Sequence, residues 1–188
     1  MNQGKNLERE HFFYLWLFYL IFIFCFVCVW FLISFFVLPI VPLSFSYVFS
    51  LFFITFLLSF LVLFLRRFGI AFLFLFIGSF VTSSLPDVGL EGFQKIALFI
   101  FAGVVFEIAV FILKFEIKSI PLDVFLGTAI FSFSLPLITT FLLSGLYLSS
   151  LVTNLALLSL FVGVLAFSVS FFIWHHFKNT RLFVRFSL

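Results

Sequence analysis

Six long apolar runs fill most of this chain, and short breaks that hold four of its five prolines separate them, so that all but two of its charges lie in these breaks or at the two ends. A helix needs about 20 apolar residues to cross about 30 Å of hydrocarbon, and each run is close to that length. The runs cover residues 13–38, 45–65, 69–85, 96–113, 122–143 and 151–174. Because the chain is 65% hydrophobic and 9% charged, a soluble domain of 188 residues has too little interior for its apolar side chains. The sequence therefore predicts an all-α integral membrane protein, a compact bundle of six transmembrane helices.

The distribution of Lys and Arg predicts how this bundle is oriented, since basic residues concentrate on the cytoplasmic side of membrane proteins. With six spans, nine basic residues fall on one side and Lys95 alone falls on the other. The nine are Lys5, Arg9, Arg66, Arg67, Lys114, Lys118, Lys178, Arg181 and Arg185. We therefore expect both termini in the cytoplasm and a multi-pass protein of the cell membrane. The loops 39–44, 86–95 and 144–150 are expected to face outward.

The ends of the chain are predicted to be short tails on a single domain. Residues 1–10 are polar and mixed in charge, which is typical of a cytoplasmic tail. Residues 11–176 form the transmembrane domain, and residues 177–188 form a basic cytoplasmic tail. The first apolar run is longer than the 7–15 residues typical of a signal-peptide core, so we expect it to remain as a spanning helix.

Glu107 is the acidic residue that is hardest to assign to a helix end. Counted from Ile96 it lies about 11 residues into the fourth run, which is roughly 16 Å at 1.5 Å per residue. Ionisable residues at such depth are costly and usually face the bundle interior. Glu107 is then either a ligand, proton or coupling site, or a carboxylate that leans to the cytoplasmic face or pairs with a neighbour.

The predicted outer loop 86–95 contains every charge expected on the outer side. Asp87, Glu91, Gln94 and Lys95 offer hydrogen-bond donors and acceptors there, and Pro86 with two glycines shapes a turn. The loop is interpreted either as a lid or binding loop, or as a solvated connection between two spans. Two further polar residues are expected near the same side, Thr140 late in the fifth run and Asn154 early in the sixth.

The remaining polar and sulfur-containing residues are interpreted as packing or interfacial groups. Small residues recur on one face of the sixth run at spacings of three and four, which lets helix backbones approach closely in lipid. They are Ala156, Ser159, Gly163, Ala166 and Ser170. Cys25 and Cys28, and the adjacent His175 and His176, lack the further ligands that a metal site needs.

The motifs of common enzyme classes are absent from this sequence. It contains no phosphate-binding glycine loop with Lys and Ser or Thr, no paired-His metalloprotease helix and no Gly-x-Ser-x-Gly turn. The acids are also too scattered for a metal-dependent enzyme acting on lipids. We therefore expect neither an enzyme nor a cofactor, and no nucleic-acid partner.

The middle of the chain resembles the substrate-binding (S) component of energy-coupling factor (ECF) transporters, in particular its hydroxymethylpyrimidine (thiamine-precursor) branch. The similarity covers about residues 65–113. It runs from Leu65-Arg66-Arg67-Phe68-Gly69 through the loop Pro86 to Gly92 and ends at Gly103-Val104-Val105-Phe106-Glu107. The chain departs from the family in its first run, which contains no Ala or Gly for the docking of a coupling subunit.

The resemblance implies a membrane-embedded, non-ATPase subunit for the uptake of a vitamin or other small polar solute. ATP hydrolysis would then belong to partner ATPases that act through a coupling subunit. The solute would be held by Asp87, Glu91, Gln94, Glu107, Thr140 and Asn154. The alternative is a non-catalytic scaffold or assembly subunit of a larger membrane complex, which the small-residue face of the sixth run and the scattered polar groups favour.

Overall fold

The structure, a computed structural model, describes residues 3–88, 90–113, 116–117, 120–144 and 150–178. These residues form six α-helices, and the predicted all-α architecture is confirmed. The helices are α1 (Gln3–Leu32), α2 (Leu43–Leu65), α3 (Ile70–Val81), α4 (Gly92–Ile112), α5 (Leu122–Ser144) and α6 (Ser150–Lys178). A π-helical turn (Ile33–Val37) and a 3-10 turn (Leu38–Ile40) extend α1, and two paired strands of two residues each, β1 (Glu116–Ile117) and β2 (Ile120–Pro121), precede α5.

Among the described residues, five helices are long and apolar enough to cross a membrane, as in a multi-pass membrane protein. The exception is α3, whose 12 residues are fewer than the predicted run over 69–85. Gly69 precedes it with a φ of 88°, and Thr82 is the residue at its C-terminal end, where its hydroxyl donates to Gly78 O at 2.8 Å. The residues after Thr82 form turns instead of continuing the helix.

The structure describes parts of the two predicted tails as helix. Helix α1 begins at Gln3, so most of the stretch predicted as an N-terminal tail continues the first helix. Phe177 and Lys178 belong to α6, and residues 179–188 of the predicted basic tail lie outside the described residues.

Helix α6 packs against α5 and α2 through its small residues. The five residues of the predicted face, Ala156, Ser159, Gly163, Ala166 and Ser170, are all buried. Ser170 Oγ donates to Phe56 O of α2 at 3.0 Å, and Ser159 Oγ lies 3.4 Å from the Tyr47 hydroxyl, also on α2. The packing interpretation of this face is therefore confirmed, and its partners are helices of the same chain.

Helix α1 lies at the edge of the bundle and packs mainly on α3. Its buried positions Ile23, Val27 and Trp30, together with Ser34 of the π-helical turn, follow spacings of four, three and four and form one narrow stripe. Most of its other apolar side chains are exposed, as expected for a helix that faces lipid.

Two groups of polar residues mark opposite ends of this bundle. At one end, here named the Arg67 end, the Arg67 guanidinium lies 5.6 Å from the Tyr19 ring and Arg66 lies 5.9 Å from the Trp174 ring. At the other, the Asp87 end, Asp87 contacts Trp30 and Lys95. Tyr19 and Trp30 are 11 positions apart on α1, or about 16 Å. The short helix α3 joins the two ends.

Candidate functional site

A buried ion pair connects the turn after α3 to the first turn of α4. Asp87 is 1% exposed and Lys95 is 0% exposed, and Lys95 Nζ lies 2.5 Å from Asp87 Oδ1. A charge in an apolar interior is costly unless it is paired and hydrogen-bonded. Whether this pair can bind a ligand therefore depends on which other protein groups already form hydrogen bonds with Asp87 and Lys95.

The second carboxylate oxygen of Asp87 accepts hydrogen bonds from α1 and from the π-helical turn that extends it. Trp30 Nε1–H donates to Asp87 Oδ2 at 2.8 Å, and the Ser34 hydroxyl donates to the same oxygen at 3.0 Å. Trp30 and Ser34 lie four positions apart, so they project from the same side of the helix. Asp87 thus ties the edge helix α1 to the segment between α3 and α4.

Lys95 is equally saturated by oxygen acceptors. Its Nζ donates to Thr82 O at 2.6 Å and to Leu85 O at 2.9 Å, in addition to its contact with Asp87. An ammonium group has three N–H donors, and three oxygens surround this one. The ion pair is therefore an internal connection of the fold, with no donor left over for a ligand.

The indole of Trp30 reaches Asp87 because a glycine leaves room for it. A Cβ at Gly78 of α3 would overlap the Trp30 ring. The ring also packs on Phe74 and Phe99, with centroids 5.5 and 5.2 Å away. Trp30 is 2% exposed, so its orientation is determined by packing on α3 and α4.

Glu107 has a different partner, the beginning of α3. It is 7% exposed, and its Oε1 accepts hydrogen bonds from Ala71 N at 3.0 Å and Phe72 N at 3.3 Å. The first N–H groups of a helix have no acceptor within that helix, and a carboxylate is favoured there by the helix dipole. Glu107 therefore caps α3 from α4, which agrees with the interpretation that it pairs with a neighbour.

Helix α4 supplies opposite charges to the two ends of α3. Glu107 is at the N-terminus of α3, and Lys95 binds the carbonyl groups of Thr82 and Leu85 just beyond its C-terminus. Both charges have the sign that complements the helix dipole. The two most deeply placed charged residues of α4 thus hold one short helix in place.

The structure separates the predicted binding residues into two groups. Five of them lie at the Asp87 end, in or just before the beginning of α4, near the end of α5 or near the beginning of α6. These three helices pack side by side in that order. The five are Asp87, Glu91, Gln94, Thr140 and Asn154. Glu107 follows Lys95 by 12 positions on α4, about 18 Å toward the Arg67 end. It is therefore not brought together with the other five.

The members of the first group differ in their exposure. Asp87 is buried, whereas Glu91, Gln94 and Asn154 are exposed. Thr140 is half-buried, and its hydroxyl donates to Pro136 O of its own helix at 2.8 Å. The interpretation of 86–95 as a solvated connection is wrong for Asp87 and Lys95, because both are buried. Trp30 donates to Asp87, and the turn supplies the acceptors of Lys95.

A groove lies at the Arg67 end, between α1 and the beginning of α3. Its volume is ≈ 240 Å³. It is lined by Trp16, Tyr19, Leu20, Ile23, Arg67, Phe68, Ile70 and Leu73. Sequence analysis, which placed the ligand groups around the 86–95 loop, did not predict this site.

Sequence analysis also missed the residues that neutralise Asp87. Trp30 and Ser34 lie 57 and 53 positions away from Asp87 along the chain, so no sequence pattern connects them with it. One signal was available: Lys95 was the single basic residue on its side and had Asp87 eight positions before it. A single cation close to two acids, Asp87 and Glu91, in an otherwise apolar chain indicates an ion pair.

The described part of the chain contains no group of three or more His, Cys, Asp or Glu residues that could hold a metal ion. His175 and His176 are exposed near the end of α6, and Cys25 and Cys28 are free thiols on α1. No protein-family model, curated protein or solved structure matches the chain. The functional argument therefore depends on the geometry.

Proposed function

We propose that the chain is a non-catalytic assembly subunit of a larger membrane complex. The observation that carries this proposal is the saturation of its buried charges. Asp87, Lys95 and Glu107 are the described charged residues whose side chains are buried, and each is hydrogen-bonded or ion-paired to the protein. The half-buried Asp123 at the start of α5 differs, since one of its carboxylate oxygens is buried without a hydrogen-bond partner. A catalytic or transport centre in a membrane needs polar groups that remain available to a substrate, whereas these hold α1, α3 and α4 together.

The proposed subunit crosses the cell membrane six times and has both termini in the cytoplasm. Helix α3 supports the sixth crossing, since it joins the Arg67 end to the Asp87 end although it has only 12 residues. The orientation is supported by the nine basic residues on one side. Lys95, the exception, is buried and neutralised by Asp87, so it adds little to the charge of the outer surface.

Site-specific photo-crosslinking in native membranes tests the assembly proposal. A photoreactive residue at Phe24, which is 58% exposed on α1, is expected to capture one defined membrane protein that co-purifies in a fixed ratio in mild detergent. The same residue at Ile23, which is 1% exposed, is the matched control and should give no product with another chain. A monomeric protein that yields only lipid adducts from Phe24 and from Phe161 of α6 would contradict the proposal.

The second candidate function is the substrate-binding subunit of a vitamin or small-solute uptake transporter of the ECF type. One observation favours it: Glu91, Gln94 and Asn154 are exposed at the same end of the bundle, where Thr140 also lies. These side chains provide donors and acceptors for a small polar solute. A coupling subunit and ATPases would be its partners, as the resemblance implies.

A binding assay separates the two candidates. The transport function predicts that a vitamin or its hydroxymethylpyrimidine precursor raises the unfolding temperature of the purified wild-type protein. Gln94→Ala and Asn154→Ala should abolish that increase while the unfolding temperature without ligand stays the same. Ser168→Ala, at an exposed position further along α6, is the control and should retain the increase. Unchanged binding in the first two variants would contradict the solute site.

A further inference from the structure

The groove at the Arg67 end combines an apolar lining with a single cation. Seven of its eight lining residues are aliphatic or aromatic, and the eighth is Arg67. Two of the aromatic residues, Trp16 and Tyr19, are of the types that concentrate at membrane–water interfaces. The groove thus has the amphipathic character of the boundary between lipid tails and headgroups.

The groove opens toward the lipid-facing surface of α1. Trp16 is 47% exposed and Leu20 is 41% exposed, although both line it. A volume of ≈ 240 Å³ is smaller than the roughly 300–1,000 Å³ of drug-sized ligand pockets. An occupant that enters from the membrane and places only one segment between α1 and α3 fits this shape.

Two adjacent arginines at this end face different surroundings. Arg66 adopts a left-handed conformation with a φ of 42°, and its guanidinium lies over the Trp174 ring of α6. The Arg67 guanidinium lies over Tyr19 and lines the groove. The turn after α2 therefore directs one cation toward α6 and the other toward the groove between α1 and α3.

We infer that this groove binds an anionic phospholipid, with the phosphate at Arg67 and part of an acyl chain between α1 and α3. Charge complementarity selects the headgroup, because a guanidinium donates to phosphate oxygens through its planar fork. Basic pockets between transmembrane helices bind anionic headgroups, and juxtamembrane Arg or Lys residues add affinity for anionic lipids. The apolar lining selects a molecule with a hydrocarbon chain over a free phosphate.

Native mass spectrometry of the full-length protein tests this inference. The protein is equilibrated in mixed micelles that contain equimolar dioleoyl phosphatidylglycerol and dioleoyl phosphatidylcholine. The wild-type protein is expected to retain one phosphatidylglycerol with at least about a fivefold preference over phosphatidylcholine, which corresponds to about 1 kcal/mol. Equal retention of the two lipids would overturn the inference.

Two pairs of variants separate the site from general effects of charge and surface. Arg67→Gln should abolish the preference, whereas Arg66→Gln, which removes the same charge from the same turn, should keep it. Leu20→Trp fills the groove and should lower retention of phosphatidylglycerol at least fivefold. Leu17→Trp, at an exposed position of α1 outside the lining, should leave it unchanged.

The remaining outcomes also decide the question. Equal losses in Arg66→Gln and Arg67→Gln would show attraction to the basic end in general and would overturn the inference. Competition by soluble glycerol phosphate would assign the site to a free phosphate and overturn it too. Unfolding temperatures of the four variants in the same detergent verify that each is folded. If Arg67→Lys also loses the preference for phosphatidylglycerol, the planar guanidinium is needed and not only a positive charge.

Discussion

At the scale of single residues, the salt bridge between Asp87 and Lys95 is expected to destabilise the fold more when one partner is removed than when both are replaced. Removing one partner of a buried ion pair leaves an uncompensated charge, which costs about 3–5 kcal/mol, whereas replacing both partners by neutral groups costs much less. Asp87 and Lys95 are both buried, and Asp87 also accepts hydrogen bonds from Trp30 and Ser34. The two partners should therefore be strongly coupled in their effect on stability.

Asp87→Asn is expected to lower the free energy of unfolding by about 3 kcal/mol, because it leaves the Lys95 ammonium without its counter-ion. Lys95→Met should have a similar effect. The double variant should lose less than the sum of the two single variants. Reversible unfolding of each protein in a mild detergent measures these differences.

The matched control for this cycle is Glu91→Gln, which removes an acid four positions later on an exposed side chain and should change stability little. Additive losses in the double variant would show that the two residues stabilise the fold independently, which the 2.5 Å contact does not predict.

Glu107 gives a second prediction at this scale. Glu107→Leu removes the acceptor of Ala71 N and Phe72 N, and leaving buried donors unpaired costs about 1–3 kcal/mol each. Glu107→Gln keeps an acceptor oxygen and loses only the charge, so its unfolding free energy should lie between those of wild type and Glu107→Leu. If Glu107→Gln were as unstable as Glu107→Leu, the charge and not the hydrogen bonds would be the main contribution.

The sequence identified Glu107 as unusual but could not assign its partners, and it did not predict that Trp30 and Ser34 donate to Asp87. A charge inside an apolar run indicates that something compensates it, and this follows from solvation alone. The donors to Glu107 lie 36 and 35 positions away from it, and Trp30 and Ser34 lie 57 and 53 positions away from Asp87. Those contacts arise from helix packing and have no local signature.

At the scale of helices, the close approach of α5 and α6 depends on one glycine. A Cβ at Gly163 would overlap Ser132 Oγ, lie 2.6 Å from Ser132 Cβ and lie 3.2 Å from the backbone oxygen of Thr128. The helices must separate to accept it. The small-residue spacing of α6, visible in the sequence, therefore has a definite structural counterpart.

Gly163→Ala is expected to lower the unfolding free energy by about 1–3 kcal/mol, the usual cost of overpacking. Gly103→Ala on α4 is the matched control, since its nearest neighbour would be Leu75 Cδ1 at 3.4 Å, an ordinary contact. Unfolding in detergent compares the two variants. Equal stability of both would mean that α5 and α6 adjust without loss.

Among the helices, α3 is markedly shorter than its predicted run, since it has 12 residues and the run covers residues 69–85. An apolar run predicts a helix but not where backbone hydrogen bonding stops within it. Thr82 ends α3, and the turns that follow direct the carbonyl groups of Thr82 and Leu85 toward Lys95. The carbonyl groups at and beyond the end of the helix are thus bound by a residue of the next helix, which local sequence patterns do not reveal.

At the scale of the whole molecule, the helical fold was predictable because lipid requires every backbone polar group to be paired within the chain. The position of the groove was not, because it depends on how α1 packs against α3. The charge pattern predicts an orientation that can be tested directly. Phe68 at the Arg67 end is 76% exposed, and Phe93 at the Asp87 end is 81% exposed.

In a variant without Cys25 and Cys28, single cysteines at these two positions should react from opposite sides of the membrane. Phe93→Cys is expected to react with a membrane-impermeant maleimide in intact cells, and Phe68→Cys only after the cells are broken. The reverse pattern would contradict the predicted orientation, and labelling of both from one side would contradict the odd number of crossings between them.

The double capping of α3 has a consequence for how the chain enters the bilayer during synthesis. When α3 leaves the ribosome, neither Glu107 nor Lys95 has been inserted, so the backbone groups at both ends of α3 lack their native partners. Lys95 and Glu107 then arrive with α4 itself. Helices α3 and α4 are thus expected to leave the translocation channel together as a hairpin. Helix α3 should remain in a hydrated position until α4 has been synthesised.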